Sequence, residues 1–243
     1  MAEKYYSISP YVYCASNPVN IVDPEGKDIY MLFYTVENKR GGDEMFFSAA
    51  NTREVDIENS VFFDHNKDIV FMVPISDLSE IEEKVNTIVN LYSEKYGGTK
   101  EFSLWSHGGV DGPTGSIKTS QNALDENQMT IEGWGRINFN WTDNASANFY
   151  GCRTGVTRDA KSSFSTEISS LDNYKNVIVS GQPSYAYPSI YPDRIRISPG
   201  IAQNVFTYPV YMVAGNRRDP RRALGFTVNG KSMVKSRNGK VIY

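Results

Sequence analysis

Phe102-Ser103-Leu104-Trp105-Ser106-His107-Gly108-Gly109 and Phe149-Tyr150-Gly151-Cys152-Arg153-Thr154-Gly155 are the two stretches on which the reading of this chain turns. Each is a short, strand-like apolar run that ends in glycine beside a reactive side chain, an imidazole in the first and a thiol in the second. The chain holds two His (His65 and His107) and two Cys (Cys14 and Cys152). His65 sits in a polar turn sequence, and Cys14 lies in a segment of different character. Nucleophilic chemistry by sulfur therefore has one natural pair, His107 and Cys152. A lone cysteine after a strand or a lone histidine before glycine is usually inert packing; the order, scarcity and glycine neighbours of these two set them apart.

Outward from the first stretch, Ile29-Tyr30-Met31-Leu32-Phe33-Tyr34-Thr35-Val36 and Ile69-Val70-Phe71-Met72-Val73-Pro74-Ile75 are continuous β-branched and aromatic runs. Such runs belong to strands covered on both faces. Asp77-Leu78-Ser79-Glu80 reads as a helix start with an acidic residue at the third position. Leu78, Ile81, Val85, Ile88, Val89 and Tyr92 then recur at three- and four-residue steps as one apolar stripe, and Gly97-Gly98 supplies the stop. Strand, helix, strand in a covered sheet predicts a mostly parallel α/β fold.

The remaining pattern predicts short helices over 44–52 and 162–171, a loop over 110–144 that holds a helix over 120–128 and a small hairpin over 136–141, and a fifth strand at Asn176-Val177-Ile178-Val179-Ser180. Beyond Tyr185 the prolines Pro188, Pro192, Pro199 and Pro209 exclude long helices. Strand-like runs at 206–213 and 225–228 make the C-terminal portion β-rich, and Asn238-Gly239 is a two-residue hairpin signal.

A chain of 243 residues with 40% hydrophobic and 22% charged content can bury a full core. Its formal net charge of -3 provides no basic field for phosphates, so no nucleic-acid partner is expected. The run Arg217-Arg218-Asp219-Pro220-Arg221-Arg222 reads as a solvated loop. No stretch approaches the roughly 18 apolar residues of a membrane span, and the N-terminus lacks a signal pattern. Two distant cysteines make no disulfide framework, and with no Cys/His cluster neither a metal nor another cofactor is expected.

In an open parallel sheet, functional groups collect at the carboxyl ends of the strands. Neighbouring third and fourth strands bring His107 and Cys152 side by side there. A free thiol has a pKa of about 8.5, which falls to roughly 3.5–7.5 beside an imidazolium or a helix N-terminus. Gly108 lets the backbone approach a reacting carbonyl, and its amide with that of Cys152 suits an oxyanion.

A His-Gly after one strand and a Gly-Cys after the next resembles the caspase-like cysteine peptidases, the group of caspases, gingipain, clostripain, separase and the CHAT domain. Phe149-Tyr150-Gly151-Cys152-Arg153-Thr154-Gly155 is particularly similar to the CHAT pattern of apolar strand, small residue, Cys, any residue, Thr, Gly. The resemblance covers roughly residues 28–185. It implies a caspase-like α/β fold, with a mostly parallel central sheet flanked by helices and a β-rich C-terminal portion. It further implies a Cys-His dyad with His107 as acid/base, Cys152 as nucleophile and Gly108 at the oxyanion. Substrate contacts are expected after the fifth strand, at Ser180 and Gln182, and flanking the dyad, at Asp111 and Arg153; Asp193 and Arg194 lie nearby in sequence. The second glycine after His107, the following Asp111-Gly112-Pro113 and the long Trp-bearing insertion depart from the group and leave the substrate geometry open, and a basic, an acidic and a neutral P1 residue all stay open.

Residues 1–27 read differently. Tyr11, Tyr13, Asn17-Pro18 and Asp23-Pro24-Glu25-Gly26 resemble the end of an Rhs or YD-repeat core, with Ser9 and Ser16 where that family usually has Asn. The resemblance implies a linker over 1–27 and an effector domain over 28–243. It also implies a repeat shell in the parent protein, delivery into a rival cell by a contact-dependent secretion system, and a cognate immunity protein. The expected function is a toxin acting as a cysteine peptidase on target-cell proteins. Two alternatives stand beside it: a Cys-His hydrolase of non-protein amides, as in a peptidoglycan amidase or a deamidase, and a toxin that binds its target without cleaving it.

Overall fold

The computed structural model describes residues 26–36, 42–115, 129–157, 162–188, 195–198, 201–203, 211–214, 227–229 and 233–243. The Rhs-like segment up to Glu25, the helix expected over 120–128, Asp193 and Arg194, the first part of the strand-like run at 206–213, and the basic run at 217–222 lie outside the described residues.

Strand β1 (Asp28–Thr35), helix α1 (Gly42–Glu58), β2 (Ile69–Ile75), α2 (Glu80–Tyr96) and β3 (Gly98–Trp105) open the domain. A hairpin of β4 (His107–Gly109) and β5 (Gly112–Thr114) comes next, then α3 (Ile131–Arg136), β6 (Trp141–Phe149), α4 (Phe164–Ile168) and β7 (Ile178–Gly181). Short strands β8 (Ala186–Pro188), β9 (Ile195–Ser198), β10 (Ile201–Gln203), β11 (Met212–Ala214) and β12 (Thr227–Val228) precede a terminal hairpin of β13 (Val234–Arg237) and β14 (Lys240–Ile242). The central sheet has seven strands in the order β14-β13-β7-β6-β3-β1-β2. Its β2, β1, β3, β6 and β7 run parallel, whereas β13 and β14 are antiparallel. The chain is thus α/β with a mostly parallel sheet between helices.

The strand order explains why the helices divide between the faces. After β1 the chain steps outward to β2, then crosses back over β1 to β3. Right-handed crossovers in opposite directions put α1 and α2 on opposite sides. Ile29, Met31 and Phe33 of β1 accordingly share a core with Ile81, Val85 and Ile88 of α2, together with α3 and α4. Leu32 of the same strand packs with Phe46, Ala49, Ala50 and Ile57 of α1, and with Tyr211 and Met212. An uninterrupted apolar run is what a strand buried on both faces requires.

The start of α2 bears out the capping pattern. Asp77 Oδ1 accepts from the Ser79 amide at 2.9 Å, and Glu80 Oε1 accepts from the Asp77 amide at 2.8 Å. The terminal turn also forms as expected, with Asn238 and Gly239 at φ 50° and 75° joining two antiparallel strands.

Four expectations need correction. Helix α1 runs to Glu58 rather than ending near Thr52; two of its buried residues are alanines, and Phe47 and Val55 on its outer side are exposed, which blurs the apolar stripe. The hairpin expected over 136–141 is instead the end of α3 and the start of β6. Thr130 Oγ1 caps α3 by accepting from Gly133 N at 3.1 Å, and Asn140, at φ 49°, turns the chain into β6. The helix expected over 162–171 is the shorter α4 followed by a 3-10 turn at Asp172–Tyr174. The segment from Val110, expected as loop, instead carries β5 and closes the β4–β5 hairpin. Among the described residues no helix is long and apolar enough to cross a membrane.

A charged pair lies inside the α1 face. Glu101 of β3 is 4% exposed and receives Arg53 Nη2 at 2.6 Å, Arg53 Nε at 3.2 Å and Ser103 Oγ at 2.6 Å. Burial alone drives its pKa up, but the Arg53 charge and these hydrogen bonds outweigh burial and hold the carboxyl below its ordinary value. Arg53 also reaches Asp56 Oδ2 at 2.6 Å, so Glu101→Gln leaves the guanidinium one carboxylate and is expected to cost about 1–3 kcal/mol of stability at neutral pH, measured by urea denaturation. Because the folded pKa is depressed, the stabilisation is fully present above the unfolded value of about 4.3. It is lost as pH falls through the folded pKa, so wild type and E101Q should converge in acid.

Candidate functional site

Strands β3 and β6 are direct neighbours, with Leu104 opposite Phe149, and both end at the same edge of the sheet. Just past each strand's end lies a glycine, Gly108 in one case and Gly151 in the other, and the two glycines meet. A methyl group built on Gly108 would fall 2.9 Å from Gly151 Cα and 3.2 Å from Cys152 N. One built on Gly151 would fall 3.0 Å from His107 O and 3.2 Å from Gly108 Cα. Neither position has room for a Cβ, so His107-Gly108 and Gly151-Cys152 touch backbone to backbone.

The reactive side chains belong to the same face. The His107 ring stands edge-to-face with Phe46 of α1, centroids 5.4 Å apart and planes at 86°, and Phe46 is part of the α1-side core. Cys152 is half-buried and packs on that same core. Beneath them, Trp105 at the end of β3 stacks on Tyr150 at the end of β6, at 4.7 Å and 16°. Tyr211 stands edge-on to both, with the Arg53 guanidinium 5.5 Å over its ring. Burial, before any other effect, drives the Tyr150 and Tyr211 hydroxyls above their ordinary pKa.

The turn carrying Cys152 is tied down residue by residue. Arg153 adopts φ 62°, the left-handed conformation that reverses the chain after the thiol, and its amide donates to Ser184 O at 2.9 Å. Thr154 is fully buried. Its Oγ1 reaches Phe149 O and Gly151 O, each at 3.0 Å, and accepts from the Gln182 amide at 3.0 Å. The Gly155 amide donates to Gln182 O at 2.9 Å. Residues 182–186 therefore run antiparallel along the turn and bring Ala186 to the sulfur. Cys152 Sγ accepts from Ala186 N and donates to Ala186 O, both at 3.4 Å. Ala186 thus holds the sulfur through both its amide and its carbonyl.

Compared with protein-family models, curated proteins and solved structures, the chain finds no match. The site has to be read from its own geometry.

The structure brings His107, Gly108 and Cys152 together. Arg153 and Gln182 adjoin them through the turn, and Asp111 lies at the tip of the hairpin that begins at His107. Ser180 is different: it is buried within the sheet, paired with Asn148 and Lys235, one residue before the end of β7. Gln182, the first residue past β7, is 1% exposed, and neither polar atom of its carboxamide has a hydrogen-bond partner. His65 is exposed in its turn, with its ring against Phe63. Among the described residues no group of three or more His, Cys, Asp and Glu is arranged to hold a metal. Sequence reasoning missed Phe46 and Ala186, since neither has a motif; their role comes from how α1 and β8 dock.

The glycine contact makes a differential prediction. Gly108→Ala and Gly151→Ala force a methyl into backbone and are expected to destabilise by about 1–3 kcal/mol. Gly109→Ala meets nothing within 4 Å and is expected to stay within about 0.5 kcal/mol of wild type. Chemical denaturation of the three variants tests the contact.

Proposed function

We propose that the domain over 28–243 is a Cys-His dyad cysteine peptidase of caspase-like type that acts on target-cell proteins as the effector of an Rhs-type toxin. The observation that carries the catalytic part is the backbone contact of Gly108 with Gly151. It sets an imidazole and a thiol on one face, at the carboxyl edge of two adjacent parallel strands, where open α/β sheets collect their chemistry.

In this reading Cys152 is the nucleophile and His107 the acid/base. The Cys152 thiolate adds to the scissile carbonyl carbon, and the developing oxyanion is met by the backbone amides at Gly108 and Cys152. Imidazolium at His107 protonates the departing amine as the C–N bond breaks, leaving a thioester that water hydrolyses with His107 as base. Gln182, with its buried unpaired carboxamide, is the strongest of the substrate-contact candidates. Asp111 and Arg153, both half-buried, flank the dyad, and Ser180 supports the strand rather than the substrate.

The toxin context rests on the Rhs-like residues Tyr11, Tyr13, Asn17-Pro18 and Asp23-Pro24-Glu25-Gly26. With it come delivery by a contact-dependent secretion system, a repeat shell upstream and a cognate immunity protein that neutralises the effector in the producing cell.

Cytosolic expression of the chain, followed by proteome-wide mapping of new protein termini, tests the reading. Wild type is expected to be toxic and to generate new termini. Cys152→Ala should abolish both, and His107→Ala should lower cleavage by about 10² to 10⁴. Full toxicity in either variant sinks the dyad. Toxicity that depends on Cys152 without new termini overturns the peptidase assignment in favour of another amide substrate.

A further inference from the structure

The sheet is unequally covered at its β2 edge. Helix α1 lies over β1, where Leu32 is fully buried. Across the ladder on the same face, Met72 of β2 is only half-buried, Tyr34 likewise, and Pro74 opposite Tyr34 is exposed. Helices on one sheet face pack side by side about 8–10 Å apart, and among the described residues α1 is the one helix of this face. A groove is left between α1 and the edge strand. With about 3.6 residues per turn, Phe47, Glu54 and Glu58 share one flank of α1. Arg53, on the other side of the inward stripe, reaches Glu101 of β3, so the Phe47 flank is turned the opposite way, toward β2. The Phe47 ring meets Tyr34 edge-on at 5.6 Å. At the far end, Phe63 packs on Tyr30 at 5.9 Å, and its neighbours Val61 and Phe62 stand 93% and 68% exposed. Neither Glu54 nor Glu58 has a cationic partner among the described residues. Burial first, and the Glu58 charge next, push the Glu54 carboxyl above its ordinary pKa. An apolar groove thus carries a rim of uncompensated negative charge.

We propose that this groove docks a basic amphipathic helix of a partner protein, its apolar stripe on Met72, Tyr34, Phe47 and Phe62 and its Lys or Arg residues against Glu54 and Glu58. A helix placed there completes the layer that α1 begins and uses the helix-in-groove mode of recognition. The 17 residues of α1 give a wall of about 25 Å, enough for about four helical turns. Charge decides against other occupants. A second copy meeting the face two-fold symmetrically sets Glu54 and Glu58 against their own counterparts, and an anionic bilayer meets the same repulsion.

The test uses the full chain and a fluorescein-labelled peptide of about 15 residues, long enough to be helical, with Leu along one helical stripe and Lys elsewhere. Its counterpart carries Glu in place of Lys. Fluorescence anisotropy at low salt is expected to show saturable binding of the Leu/Lys peptide and binding of the Leu/Glu peptide weaker by about tenfold or more. Phe47→Ala should weaken the Leu/Lys peptide about tenfold, as loss of an interface anchor does. Glu54→Gln with Glu58→Gln should weaken it about three- to tenfold, as loss of two exposed ion pairs does. This pair of variants sits on the rim and tests the groove without touching the contact between Phe47 and Tyr34. The same change of charge on α2, Glu83→Gln with Glu94→Gln, both exposed, should leave binding unchanged. Equal loss in the two charge pairs reduces the effect to attraction between a basic peptide and an acidic chain and overturns the proposal, as does an absence of binding. A dimer in sedimentation velocity that Phe47→Ala dissociates overturns it in favour of a second copy of the chain.

Discussion

Glu101 is a carboxylate sealed into the face of the sheet that also carries the reactive side chains, and only the fork of Arg53 makes its burial tolerable. An ion brought this far from water loses several kcal/mol of hydration, recovered only when geometry and further hydrogen bonds are good. Here the guanidinium meets both carboxylate oxygens, Ser103 adds a third bond, and Asn148 of β6 donates to Ser103 in turn. The consequence is positional. Arg53 is on α1 and Glu101 on β3, so the pair fixes the helix along the strand. Phe46 lies two turns before Arg53 on the same side of α1, and it is the residue against the His107 ring. A charge pair in the lower half of β3 thus sets the wall of the site at the strand's end.

The two faces of the sheet are built differently, which bears on where chemistry resides. The face under α2, α3 and α4 is mainly an aromatic and aliphatic core, with Phe102 in ring contact with Phe33, Trp134, Phe139 and Phe149, and its buried polar groups, the Tyr174 hydroxyl and the Ser163, Thr166 and Ser236 hydroxyls, carry no charge. The face under α1 interleaves its apolar residues with Glu101, Arg53 and two buried tyrosines. Buried charges cost more free energy than buried hydroxyls and persist where a particular arrangement has to be held. His107 and Cys152 belong to the second face.

Much of this was legible in the sequence because it derives from local pattern. The run from Ile29 to Thr35 declared a strand covered twice over, Asp77 with Glu80 declared the start of α2, and Asn238-Gly239 declared the last turn. Even the adjacency of His107 and Cys152 came from strand order and the rule that sites collect at carboxyl ends. The features that stayed hidden depend on partners distant in sequence. Helix α1 presents alanines to the sheet, and a stripe of alanines is not visibly apolar. The short helix at Ile131–Arg136 is capped by Thr130 and stopped within six residues, too short for a periodic stripe to show against a hairpin. Phe46 and Ala186 carry no motif, and their place beside the two reactive groups is set by docking of α1 and by the path of residues 182–186.

The glycine contact also clarifies why the two tips are built from Gly on opposite sides of the reactive residue, after His107 and before Cys152. Adjacent strands in a sheet lie about 4.8 Å apart, and beyond the last ladder hydrogen bond their ends splay unless something draws them together. A pair of ordinary side chains at 108 and 151 would wedge the tips apart, since even a methyl on either meets backbone at about 3 Å. Without Cβ atoms the two peptides close on each other, and the side chains just outside the contact, one before it and one after it in the chain, are carried toward the same face. Thr154, reaching back to Phe149 O and Gly151 O, then stops the second tip from relaxing. The approach of the imidazole-bearing tip to the thiol-bearing tip is thereby a property of the backbone, and neither reactive side chain has to be strained to achieve it.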